Sequence, residues 1–156
     1  MKNRILICNG TSGISAGARK VGQFFEEGLE LHNLQDRYEV VMTGDRGLFR
    51  DVLVDIVSPD AERITYEYVK AEDVPGIVEE HLVKGEPVKK LLAGEDYRDF
   101  FAGQTRIVLA NCGEIDPKSI DDYLATNGYK ALEKVLKMTP DAVIEEIGVG
   151  MQQRVE

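Results

Sequence analysis

The sequence predicts an α/β fold, a mixed sheet flanked by helices, and three observations carry that prediction. Arg4–Cys8 (RILIC) is an apolar, β-branched run closed by Asn9-Gly10, the pattern of a buried strand. A stretch of helical period separates it from a second run, Tyr38–Met42, so those two strands should be parallel. Two later runs, Val52–Val57 and Ile64–Val69, are joined through Ser58-Pro59-Asp60, which suits an antiparallel hairpin.

In order along the chain, Gly10-Thr11-Ser12-Gly13 reads as a turn after the first strand. From Ala16 the apolar positions Ala18, Val21, Phe24, Phe25, Gly28 and Leu29 recur every three or four residues, with Arg19, Lys20, Gln23, Glu26, Glu27 and Glu30 largely between them, until His32-Asn33 ends the helix. Thr43–Gly47 (TGDRG) is a loop. Ile64–Val69 (ITYEYV) alternates with period two, as a half-exposed antiparallel strand does. Asp73 can cap a helix through Ile77, Val78 and Leu82 to Gly85, with Pro75 in its first turn. Ile5, Leu6, Ile7, Val21, Phe24, Phe25, Val40, Val41, Leu53, Val54, Ile56, Ile77, Val78 and Leu82 are expected to form one core, and residues 1–85 one domain.

Residues 86–105 mix Gly, Pro and charge and read as a linker. Arg106–Ala110 (RIVLA) reads as a short strand opening a mostly helical segment, 106–147, and 148–156 as a tail. Asp116-Pro117 and Thr139-Pro140 each set a capping residue before a proline, opening helices at Ser119–Thr126 and Asp141–Ile147, with Lys130–Lys137 between them. Asp116 is thus a cap and Asp121 and Asp122 the acidic first turn of a helix, rather than a metal site. His32 and His81 lie near helix ends and read as surface or capping residues.

The chain has 156 residues and a net charge of −9, from 28 acidic against 19 basic side chains. That balance opposes nucleic acid and anionic membranes, both of which select clustered Lys and Arg. Two cysteines, Cys8 and Cys112, are too few for a disulfide framework and suit a reducing compartment, so a cytoplasmic location is expected. No apolar run reaches the roughly 20 residues of a membrane span, and no signal-peptide pattern opens the chain.

Asn9–Gly17 (NGTSGISAG) is a glycine-rich loop before a helix, but it is neither G-x-G-x-x-G nor a P-loop. It carries a resemblance instead. The stretches ILICNGTSGISAGARKV and VVMTGDRGLF resemble the thioredoxin-like [2Fe-2S] ferredoxin domain, in the form fused to NADH-oxidising flavoprotein subunits of complex I and of NAD-linked hydrogenases. The resemblance continues through EEHLVKGEPVKKLL, and FFAGQTRIVLANCGEIDPKSIDDYLATNGYKAL looks like the opening of the flavoprotein core, so that about residues 4–147 are covered.

The resemblance implies a thioredoxin-like fold and points to a metal site at four thiolate positions, two per iron. Those positions fall on Cys8 and Gly13, with Ser12 as the neighbour if the loop slips by one, and on Asp45 and Phe49. Three of the four thiolates are therefore replaced. The expectation is an accessory or remnant subunit of an NADH-linked redox complex, docking onto flavoprotein and ferredoxin-like subunits, without catalysis of its own. Neither its own cluster nor FMN and NADH are expected on the chain. Two alternatives are a [2Fe-2S] electron carrier with unusual ligation and a thiol protein using Cys8. Phe49 should turn inward to fill the cluster's space. The apolar residues Ile107, Leu109, Ile120, Tyr123, Leu124, Leu132, Val135, Leu136 and Ile144 should be hidden by folding back or by a homodimer.

Overall fold

The computed structural model describes residues 2–59 and 63–152. Strands β1 (Asn3–Cys8), β2 (Tyr38–Thr43), β3 (Val54–Val57) and β4 (Ile64–Tyr66) form one mixed sheet in the order β2-β1-β3-β4. β1 and β2 are parallel, with Cys8 opposite Thr43, so the chain leaves both strands at the same end of the sheet. β3–β4 is antiparallel, as the hairpin pattern requires, and so is β1–β3. Asp60 of the connecting turn lies outside the described residues.

The expected turn at residues 10–13 is instead the start of a five-residue helix, α1 (Thr11–Ser15), and Gly17 at φ 96° separates it from α2 (Ala18–Leu31). α2 buries Ala18, Val21, Gly22, Phe25 and Leu29 along one stripe. The helix expected to follow Asp73 begins as a 3₁₀ turn (Ala71–Asp73), becomes α3 (Val74–Ile77) and widens to a π-helical stretch (Val78–Val83). Asp73 does not cap α3. Its carboxylate accepts from the Lys70 N–H at 3.1 Å, closing the 3₁₀ turn instead.

α2 and α3 cover one face of the sheet, where Ile5, Ile7, Phe25, Val54, Ile56, Ile77, Val78 and Leu82 form the main core. The expected single cluster is therefore divided. Strand alternation sends Leu53 and Cys8 to the opposite face, where they pack with Tyr97. Leu6 and Val41 are buried without joining the main cluster, and Phe24 and Val40 are only partly buried against it.

The third and fourth strands are shorter than their apolar runs. Tyr68 adopts φ 57° and ends β4 at Tyr66, although Val69 N–H still reaches the Val52 carbonyl at 3.1 Å. The place beside β4 is taken by residues expected to form a linker. Glu67 N–H donates to the Leu91 carbonyl and Ala93 N–H to the Thr65 carbonyl, each at 2.9 Å. α4 (Glu95–Ala102) follows and inserts Tyr97 into the second face. Composition hid this because α4 carries Glu95, Asp96 and Asp99 on its exposed side and buries little except Tyr97.

Arg106–Ala110 is not a strand but a bend and turns, with Ile107 77% and Val108 93% exposed. The chain divides into compact units at Met1–Ser119 and Ile120–Glu156. In the second, α5 (Ile120–Ala125), α6 (Lys130–Val135) and α7 (Pro140–Gln152) overlap the three expected helices, and α7 alone shows its expected cap. The Thr139 hydroxyl accepts the Ala142 N–H at 3.3 Å, with Pro140 in the first turn. Asp116 caps only a local turn, accepting the Lys118 N–H at 2.8 Å. α7 extends into the expected tail, whose last four residues lie outside the described set. Ile120, Tyr123, Leu124, Leu132, Val135, Leu136 and Ile144 are exposed in the single chain. Among the described residues no helix is long and apolar enough to cross a membrane.

His81 is not a charged helix cap. Its Nδ1 lies 2.8 Å from the Tyr66 hydroxyl, and burial lowers its pKa below 6.5. A lowered pKa means that the unfolded chain binds the proton more readily, so stability should fall as pH drops through and below about 6.5. The melting temperature should decrease between pH 7.5 and 5.5, and His81→Gln should flatten that slope. An equal slope in both proteins would count against the assignment.

Candidate functional site

The site is built where β1 and β2 end side by side. Asn9 N–H donates to the Thr43 carbonyl at 3.0 Å, tying the two exit loops together. The Ser12 hydroxyl donates to Asp45 Oδ2 at 2.8 Å, bridging α1 to the loop after β2. Gly10 packs against the Asp45 side chain, and a Cβ at Gly13 would collide with the Cys8 carbonyl. Cys8, Ser12, Gly13 and Asp45 therefore share one region. Phe49 does not close it: its side chain turns outward, 88% exposed. Arg50 and Asp51 beside it are held inward, Arg50 by Glu67 at 2.8 Å and by Asp96, Asp51 near Gly13 and Ser12.

Beneath the loops lies a polar network absent from the sequence-based expectation. Arg46, 4% exposed at its side chain, pairs with Asp55, 2% exposed, and donates to the Tyr97 hydroxyl at 2.6 Å and the Gly113 carbonyl at 3.1 Å. Asp55 also accepts from the Thr65 hydroxyl at 2.6 Å. The Thr43 hydroxyl accepts the Gly113 N–H at 3.1 Å and donates to the Ile115 carbonyl at 2.8 Å. Glu114 is gripped by both Arg63 nitrogens and by Arg106 at 3.4 Å. Burial alone would raise the Glu114 pKa, yet Arg63, reinforced by Arg46 and Arg106, holds it below the usual value. Asp55 was the available signal, since a carboxylate within Val52–Val57 is stable only with a partner.

Burial pushes the Cys8 thiol up to about 12; Arg46 opposes the shift, and Asp55, Asp45 and Asp51 reinforce it. The Asp51 carboxyl is raised by burial and by Asp45, against a hydrogen bond from Ser12. Cys8 is thus a protonated core thiol at neutral pH, whereas a nucleophilic thiol needs the anion. Cys112 is half-buried, its Sγ facing Gly44. At pH 8, a maleimide should label Cys112 faster than Cys8, with Cys8 labelled readily only in denaturant; the reverse order would contradict the placement.

The fold is that of the thioredoxin-like [2Fe-2S] ferredoxins. The ferredoxin of this kind from Aquifex aeolicus superposes with a TM-score of 0.51 at 28% identity, covering 60% of this chain and 97% of that one. A cysteine-to-serine variant of it gives 0.52 over 59% and 98%. A 42-residue segment is 60% identical to the NADP-reducing hydrogenase subunit HndC of Solidesulfovibrio fructosivorans, 27% of this chain but 9% of that subunit. No family model matches the chain.

The residues present do not fit a four-thiolate cluster. Cys8 supplies one sulfur, Gly13 offers no donor and no room for a side chain, Asp45 is bound by Ser12, and Phe49 points away. Among the described residues, no group of three or more His, Cys, Asp or Glu is arranged to hold a metal ion.

Proposed function

We propose that the chain is an accessory subunit of an NAD(P)H-linked redox complex in the cytoplasm, docking onto flavoprotein and ferredoxin-like subunits without a cluster, FMN or NADH of its own. The observation that carries this reading is the ferredoxin fold, taken with Gly13, Asp45 and Phe49 standing at three of the four positions where the resemblance implies thiolates. The likeness of a short segment to a hydrogenase subunit supports the same class of complex. A scaffold whose core is retained while its electron-carrying ligands are replaced is suited to binding rather than to electron transfer. The apolar side chains exposed between Ile120 and Ile147 supply contact area for a partner, and a homodimer is the expected state of the isolated chain. The deep burial and high pKa of Cys8 argue against the thiol-protein alternative.

Co-expression with the flavin-containing subunit of an NAD(P)H-oxidising complex from the same cell tests this. The chain should co-elute with the flavin, and Leu136→Glu should weaken that association about tenfold, as for a central apolar contact. A chain that elutes separately would overturn the docking role.

A further inference from the structure

We propose that residues 112–115 form an intramolecular strap that performs the structural task of a metal centre, holding the loop after β2 by the chain's own bonds. The inference rests on the reading that the chain works without a cluster. In a clustered protein, metal–thiolate bonds would tie that loop to the end of β1. Here, besides the Asn9–Thr43 and Ser12–Asp45 bonds, the loop is held from the other side as well. Thr43 takes both the Gly113 N–H and, through its own proton, the Ile115 carbonyl. Arg46 takes the Gly113 carbonyl, so Asp45 lies between two residues bound to the strap. Cys112 packs on Gly44, and Glu114 is anchored by Arg63 and Arg106.

Gly113 is the critical position. Its φ of +81° favours glycine, and a Cβ there would collide with Arg46 Nε. Thr43 is equally specific: an apolar isostere would leave a buried N–H and a carbonyl without partners. The strap thus gives the loop a defined position that requires no iron, and through the Gly113 carbonyl it is joined to the same buried Arg46 that neutralises Asp55.

The test compares maleimide labelling of Cys112 in the wild-type chain, in Thr43→Val and in a control, Thr105→Val, at an exposed position. Thr43→Val should raise the rate about tenfold or more with far-UV circular dichroism unchanged, while the control stays within about twofold. Rates in Thr43→Val within about twofold of wild type would overturn the strap. Should Thr43→Val fail to fold, hydrogen exchange in the unmodified chain decides. The Gly113 amide should exchange at least about tenfold more slowly than the Val108 amide, and equal rates would overturn the proposal. Neither readout measures iron, so the strap and the cluster-free reading fail separately.

Discussion

Arg46→Met should destabilise the protein by about 3–5 kcal/mol, because it leaves the Asp55 carboxylate buried and uncompensated. Asp55 would retain the Thr65 hydroxyl at 2.6 Å and Arg63 at 3.7 Å, too distant and too exposed to replace a direct guanidinium contact. The Gly113 carbonyl and Tyr97 hydroxyl would lose their donor at the same time. The double variant Arg46→Met/Asp55→Leu should recover much of the loss, since removing both charges removes the desolvation cost with the attraction. Urea unfolding of the single and double variants measures this. A single variant within about 1 kcal/mol of wild type would show that the pair is not buried as described.

Phe25→Ala should cost about 3–5 kcal/mol, and Phe49→Ala should fall within about 0.5 kcal/mol of wild type. Both are aromatic residues expected to face inward, Phe25 from its helical periodicity and Phe49 from the resemblance. Phe25 is fully buried between α2 and the sheet, whereas Phe49 stands in solvent. The contrast follows from what lies against each ring. Phe25 belongs to a cluster with Val21 and Ile77, so truncation leaves a cavity. Phe49 leaves none. Comparable losses in the two variants would mean that Phe49 is turned inward after all.

Periodic elements were legible in the sequence because their signals are local. The stripe in α2, the β-branched run of β1 and the Thr139-Pro140 cap each depend on residues close along the chain. The second face of the sheet was not legible in the same way. It is covered by Tyr97, from a charged segment that reads as a linker, and its buried Arg46 donates to Gly113, which lies just beyond the run that reads as a strand. What holds them is Arg46, which in TGDRG looks like a solvated loop residue, paired with Asp55 nine positions on. Long-range ion pairs leave no periodicity. The unpaired look of Asp55 in an apolar strand was the one available trace.

At the site, the resemblance implied that Cys8, Ser12, Gly13, Asp45 and Phe49 would cluster; the parallel strands β1 and β2 end together and bring the loops carrying the first four into one region, but not the Phe49 side chain. The direction of Phe49 depended on Arg50, whose partners Glu67 and Asp96 come from elsewhere in the fold, so it could not be read from the loop itself.

Iron content and visible absorption of the chain purified without oxygen test the central claim most directly. The account predicts a colourless protein with less than about 0.1 iron per chain, since a single thiol cannot hold a two-iron cluster. About two irons and two acid-labile sulfides per chain, with visible absorption bands that bleach on reduction, would contradict it.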